Sequence, residues 1–214
     1  MASQVSQLKE ILHTGERWDG RGFSGAEINL LSKHYELTLK WNNRLHLTTL
    51  TQPLDFFERH ILESAFAESL ILPCVRQVWD LGSGLGVPGV VIAVLRSDLT
   101  VYLVEASRNK AFFLEEAVEI LQLTNAKVVR SRFESLKDLP VESCLAVRAI
   151  EGMEKMLPEI MKLGTNAAQT LIFGAKHLED EARKFLTSQR QMNTLRVPGS
   201  DRRHVVNIFR FRST

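Results

Sequence analysis

The stretch Val78-Trp79-Asp80-Leu81-Gly82-Ser83-Gly84-Leu85-Gly86-Val87-Pro88-Gly89 constrains this chain more than any other. A short apolar run ends in an acid, a glycine-rich turn follows, and apolar residues of helical type continue from Val90 to Leu95. The pattern is strand, tight loop, helix. Glycines let the backbone turn sharply and remove the Cβ atoms that would hold a ligand away. Pro88 suits the first helical turn, where its missing N–H is not needed. The segment predicts a nucleotide-type cofactor site.

The chain before it reads as helix. Ser3 to His13 carries Val5, Leu8, Ile11 and Leu12 at helical spacing and ends at Gly15. Trp18-Asp19-Gly20-Arg21-Gly22 reads as a loop. Ser24-Gly25-Ala26-Glu27 is a capping box, opening a helix with Ile28, Leu31, Tyr35 and Trp41 on one side. Pro53 opens another helix, through Phe56, Phe57, His60, Ile61, Ser64 and Phe66 to about Leu72. Residues 1–75 are therefore expected to form an N-terminal helical cap.

From residue 77 the pattern alternates. Strands are expected at 77–81, 100–105, 126–130, 143–148 and 169–174, and helices at 88–96, 107–122, 151–162 and 177–190. Such alternation predicts an α/β domain, residues 76–214, with a mostly parallel Rossmann-like sheet covered on both faces. Met192–Val197 and His204–Phe211 are strand-like runs split by Pro198-Gly199-Ser200-Asp201. They predict an antiparallel hairpin that finishes the sheet.

Bulk properties narrow the class. With 214 residues the chain can bury a sizeable core. No apolar run approaches the ~20 residues of a membrane span, and residues 1–15 hold no signal-peptide core. Cys74 and Cys144 are isolated, without metal spacing, so no metal is expected and the setting is expected to be the cytosol. From Glu181 onward eight Lys/Arg face two Asp/Glu, although the whole chain carries only +2. A basic end suits a polyanionic partner, and suits a solvated face equally well.

Gly84-x-Gly86-x-x-Gly89 matches a dinucleotide fingerprint, which alone is weak. Glu105 closes the second strand, where an acid accepts from ribose hydroxyls. Both NAD enzymes and S-adenosylmethionine (SAM) methyltransferases use such an acid. Two details favour methyl transfer: Asp80, placed to meet the amino-acid end of SAM, and the extra Gly82 with no second nucleotide-binding half. Phe133-Glu134, after the third strand, falls where an adenine pocket belongs, or else covers the core.

Several stretches then align together. They are Trp41-Asn42-x-x-Leu45-His46-Leu47-Thr48, His60-Ile61-Leu62-Glu63-Ser64, Gly82-Ser83-Gly84-x-Gly86-x-Pro88-Gly89, Arg132-Phe133-Glu134, Val147-Arg148-Ala149, Ala175-Lys176 and Arg203-His204-x-Val206. From about Leu30 to Ile208 the chain resembles the glucose-inhibited division protein B family, the methyltransferases that modify a guanine at N7 in bacterial small-subunit ribosomal RNA. Departures are His46 for the family's Asn, Glu63 for its Asp, Glu105-Ala106-Ser107 for an Asp-Ser pair, and no glycine after Lys176.

The resemblance implies SAM as cofactor, small-subunit ribosomal RNA as partner, and a monomer. The implied cofactor contacts are Asp80, Gly82, Ser83, Gly84, Gly86, Val87, Glu105, Ala106, Phe133, Glu134 and Arg148. Arg148 and Lys176, at strand ends, are the expected catalytic pair. Arg132, Arg203, His204, His60, Arg108 and Lys110 are expected RNA contacts, His60 serving equally well as a satisfied core histidine. Trp41, Phe56 and Phe57 read as core, and Asn42 as a helix cap. The alternatives are a SAM enzyme acting on a small molecule or protein, and a non-catalytic RNA-binding or ribosome-assembly protein.

Overall fold

The computed structural model describes residues 1–17, 19–137, 139–148 and 152–210. Trp18 of the expected loop, Ala149 beside Arg148, the first residue of the helix expected from 151, and Phe211 of the hairpin lie outside the described residues.

Helices α1 (Ala2–Thr14), α2 (Gly25–Leu45), α3 (Pro53–Phe56) and α4 (Glu63–Ser69) come first. The capping box forms: Ser24 Oγ accepts from Glu27 N, and the Glu27 carboxylate accepts from Ser24 N. Between α3 and α4 the chain makes a π-helical turn, Phe57–Leu62, inside what the periodicity predicts as one continuous helix. A π turn widens the helix by one residue and recurs at functional sites. It carries Arg59 and His60.

The sheet follows. Its strands are β1 (Gln77–Leu81), β2 (Thr100–Val104), β3 (Ala126–Val129), β4 (Ser143–Arg148), β5 (Gln169–Gly174), β6 (Arg190–Arg196) and β7 (His204–Arg210). Their spatial order is β3-β2-β1-β4-β5-β7-β6. The first five are parallel, and β7 runs antiparallel to both β5 and β6. The connecting helices are α5 (Gly89–Leu95), α6 (Arg108–Ile120), α7 (Met153–Leu163) and α8 (Leu178–Arg183). The last is far shorter than the helix expected over 177–190, and β6 starts two residues before the expected Met192.

Strand alternation sends residues to opposite faces. In β4, Cys144 and Ala146 join the core shared with α1, α2, α5 and α6, whereas Leu145 and Val147 join the core shared with α7 and α8. Both faces are buried, so β4 reads as an unbroken apolar run. The first core also takes Phe56 and Phe57, and Trp41 packs against it with Nε1 donating to Glu116. Chain order reverses between β1 and β4. That switch point, at the carboxyl ends of the strands, is where open α/β sheets bind ligands.

Candidate functional site

The register of β1 sets the site. Leu81 lies opposite Val104 on β2 and Val147 on β4, so Gly82 leaves the sheet between Glu105 and Arg148. Gly82 N and Ser83 N both donate to the Val104 carbonyl, at 2.9 and 3.0 Å. Gly84 N donates to Glu105 Oε2 (2.9 Å), and Ser107 N to Glu105 Oε1 (2.7 Å). One buried carboxylate thus ties the glycine loop to the loop after β2. Each of its oxygens keeps a second lone pair for a ligand hydroxyl.

Asp80 sits differently from the sequence expectation. It lies beneath the loop, 1% exposed, and Oδ2 accepts from Gly89 N at 3.0 Å. Its carboxylate holds the first turn of α5 and does not line the cleft. Burial pushes its pKa up to about 7. Gly89 is required by this packing: a Cβ there would overlap Leu103 Cδ2 and come within 2.6 Å of Asp80 Oδ2. Gly84 differs. It has φ +56°, and an added Cβ would meet only the Gly82 carbonyl, at 3.7 Å. Pro88 precedes the first residue of α5 and follows a cis peptide bond.

His34, absent from the motifs, holds the same loop from α2. Its Nε2 donates to the Leu85 carbonyl at 2.7 Å from a fully buried ring. Burial pushes its pKa down to about 4, so the ring is neutral. A histidine among apolar helical residues gives no sign of this in sequence.

The scattered motifs meet in one hydrogen-bond network. Asn42 brackets Thr48: its Nδ2 donates to Thr48 O (2.8 Å) and its Oδ1 accepts from Thr48 N (2.9 Å). His46, between them, takes a left-handed conformation, φ 47° and ψ 49°. Asn and His are both enriched there, so the departure from Asn at this position suits the same backbone. Arg148 Nη2 donates to His60 Nδ1 at 3.1 Å. A guanidinium only donates, so His60 carries its proton on Nε2 and donates it to Thr48 Oγ1, 2.9 Å away. Burial and the Arg148 charge push the His60 pKa down to about 2. Arg148 Nη2 also faces Glu63 Oε2 at 3.4 Å, while its Nη1 is buried without a protein partner among the described residues. Burial pushes the Arg148 pKa down to about 10, which leaves it charged.

A cleft of about 290 Å³ gathers Gly82, Ser83, Gly84, Val87, Glu105, Lys110, Arg148 and His60, closed by Leu47 to Leu50. Gly86 packs behind it on Val90, and Ala106 is exposed beside Glu105. His60 is buried with both ring nitrogens engaged, so it serves Arg148 rather than an outside partner. Arg203 reaches the group through Glu63. Phe133 is buried in the core of the α7 face and, with exposed Glu134, lines a separate cleft of about 340 Å³. Lys176, Arg132 and Arg108 are exposed, after β5, before Phe133 and at the start of α6; His204 opens β7. Among the described residues no helix is long and apolar enough to cross a membrane, and no cluster of three metal-ligating side chains forms.

Comparison with known proteins gives the family and the fold. The family model described as GidB, rRNA small subunit methyltransferase G, matches residues 27–206. A "Ribosomal RNA small subunit methyltransferase G" of Trichormus variabilis is 31% identical over 205 residues, covering 90% of this chain and 81% of its own. One from Pseudomonas fluorescens is 32% identical over 183 residues, covering 85% and 84%. The fold matches a SAM-dependent methyltransferase from Aquifex aeolicus (TM-score 0.57, 15% identity, 73% of this chain and 93% of that one). It also matches the METTL16 MTase domain (TM-score 0.58, 14% identity, 99% and 91%).

Proposed function

Because the chain belongs to the rRNA small subunit methyltransferase G family, we propose that it transfers a methyl group from SAM to guanine N7 in small-subunit ribosomal RNA. The observation that carries this reading is that the glycine loop and Arg148 line one cleft at the switch point of the sheet.

The residues present fit such a cofactor. Gly84 leaves its side of the loop open, Glu105 keeps free lone pairs beside it for a ribose hydroxyl, and Arg148 Nη1 is a buried donor without a protein partner among the described residues. A buried unpaired donor costs about 1–3 kcal/mol. A carboxylate such as that of SAM's amino-acid end removes this cost. Phe133 and Glu134 follow β3 at the carboxyl ends of the strands, but the cleft they line is separate from this one.

When bound, SAM supplies a methyl carbon on a sulfonium sulfur, and guanine N7 accepts it through a lone pair without losing a proton. The protein therefore needs no general base. Its residues orient and exclude water, and orientation contributes on the order of 7–11 kcal/mol in favourable cases. Arg148, held by His60 and Glu63, fixes the cofactor's amino-acid end. Lys176, at the neighbouring strand end, steers the base. Arg132, Arg203, His204, Arg108 and Lys110 take the RNA backbone, where contacts position without reading sequence. The helices of residues 1–75 act as a cap on the methyltransferase domain, 76–214, and the protein works in the cytoplasm as a monomer on the small subunit.

The test incubates the protein and methyl-labelled SAM with small subunits lacking their methylations, and in parallel with free ribosomal RNA. Label recovered as 7-methylguanosine at one site is the expected result. SAM binding with no label in either substrate rejects the acceptor assignment.

A further inference from the structure

Glu63 is 4% exposed and meets three guanidiniums: Arg59 Nε at 2.9 Å, Arg148 Nη2 at 3.4 Å and Arg203 Nη1. One carboxylate cannot balance three cations, and His60 between them is neutral. Glu58, exposed on the same helical turn, pulls on Arg203 more weakly than Arg59 repels it, and Asp80 offsets part of the Arg148 charge, so the carboxylate in contact with both Arg59 and Arg203 is Glu63. The three arginines are layered. Arg148 is 10% exposed and lines the cleft, whereas Arg59 and Arg203, which share Glu63 with it, lie outside the lining and are 39% and 25% exposed.

The outer pair is held in place before any ligand arrives. Arg59 is pinned by Glu63 across the π turn, and Arg203 by Glu63 and by Ser200, whose Oγ accepts from Arg203 Nε at 2.9 Å. Side chains already ordered lose little entropy on binding, and the planar guanidinium fork matches phosphate oxygens. After burial, the charge of Arg59 is the main influence lowering the Arg203 pKa, a repulsion that an anion between them relieves.

We propose that Arg59 and Arg203 together clamp one phosphate of the RNA substrate outside the cleft lining, with Glu63 as the positioning residue that holds both. The inference rests on RNA being the substrate. It adds Arg59 to the RNA surface and gives Glu63 a role that sequence spacing does not show.

The test measures the affinity for small-subunit ribosomal RNA across a salt series, with SAM affinity by calorimetry. Arg59→Gln and Arg203→Gln should each weaken RNA binding about tenfold at low salt. Each should also flatten the slope of log affinity against log salt by about 0.7, the release expected for one phosphate on single-stranded RNA. Because both arginines hold the same phosphate, the double variant should lose no more slope than either single one. SAM affinity should stay unchanged. Glu63→Gln discriminates by sign: deleting a negative charge tightens RNA binding if Glu63 is a bystander, and weakens it if Glu63 positions the clamp. Should that variant fail to fold, the arginine variants still decide. Additive slope losses, or intact slopes, overturn the clamp alone. Wild-type protein with no salt-dependent affinity for the RNA overturns the functional reading, and the clamp with it.

Discussion

His60 Nδ1 accepts a hydrogen bond from Arg148 Nη2 at 3.1 Å, across 88 residues of sequence. This bond joins the π turn to the end of β4, and it exists only while the imidazole is neutral.

That requirement gives an acid sensitivity. His60 and His34 have folded pKa values of about 2 and about 4, against 6.5 in the unfolded chain. The unfolded state binds more protons below pH 6.5, so stability is present above 6.5 and is lost as pH falls. Each histidine contributes a slope of about 1.4 kcal/mol per pH unit in that window. Urea unfolding at pH 7 and pH 5 should show wild type losing about 2 kcal/mol more than His60→Gln. Equal losses would mean that His60 is protonated in the folded protein.

Asp80 has the opposite sign. Its folded pKa of about 7 exceeds the usual 3.8, so the folded state binds the extra proton and stability falls as pH rises from 3.8 to 7. Asp80→Asn keeps an acceptor for Gly89 N without the buried charge. Relative to wild type it should gain on the order of 2–3 kcal/mol between pH 5 and pH 7, and only a further ~0.4 kcal/mol before levelling off near pH 8. A pH-independent difference in unfolding free energy would contradict the burial argument.

Arg148→Ala should lower single-turnover methyl transfer about a hundredfold or more, the scale seen for one oriented donor at a reacting centre. Arg148→Lys should not restore it, because an ammonium lacks the fork that reaches His60, Glu63 and the cleft together. The melting temperature, followed by circular dichroism, should drop only modestly. Activity and folded fraction lost in equal measure would make Arg148 a structural residue.

Two glycines of one loop should fail in different ways. Gly84→Asp should abolish SAM binding in calorimetry while the protein stays folded, since its side chain enters open cleft space. Gly89→Ala should instead destabilise the fold by about 1–3 kcal/mol, since its Cβ overlaps Leu103 and Asp80. Unchanged SAM affinity in the Gly84 variant would remove the loop from the cofactor site.

The strand–loop–helix segment and the β/α alternation were legible because periodicity and glycine spacing are local properties. The family motifs were legible as an ordered set, over about the span that the family model matches. Their purpose was not, because Asn42, Thr48, His60, Glu63, Arg148 and Arg203 meet only in three dimensions. The π turn is not legible, because one extra residue per turn barely disturbs an apolar stripe. Asp80 is a related case. An acid at a strand end reads as a ligand contact, yet the pleat pointed it into the protein, where it bonds Gly89 N.

Among the described residues β7 follows β6 in sequence, yet it lies inside the sheet, between β5 and β6. While the chain is being synthesised, β6 therefore emerges before the neighbour it must pair with. Truncation within residues 204–210 takes out an interior strand, and with it the framework beside Arg203 and Glu63. The enzyme should thus become competent only once this strand has been made and paired, and a chain lacking it should be inert.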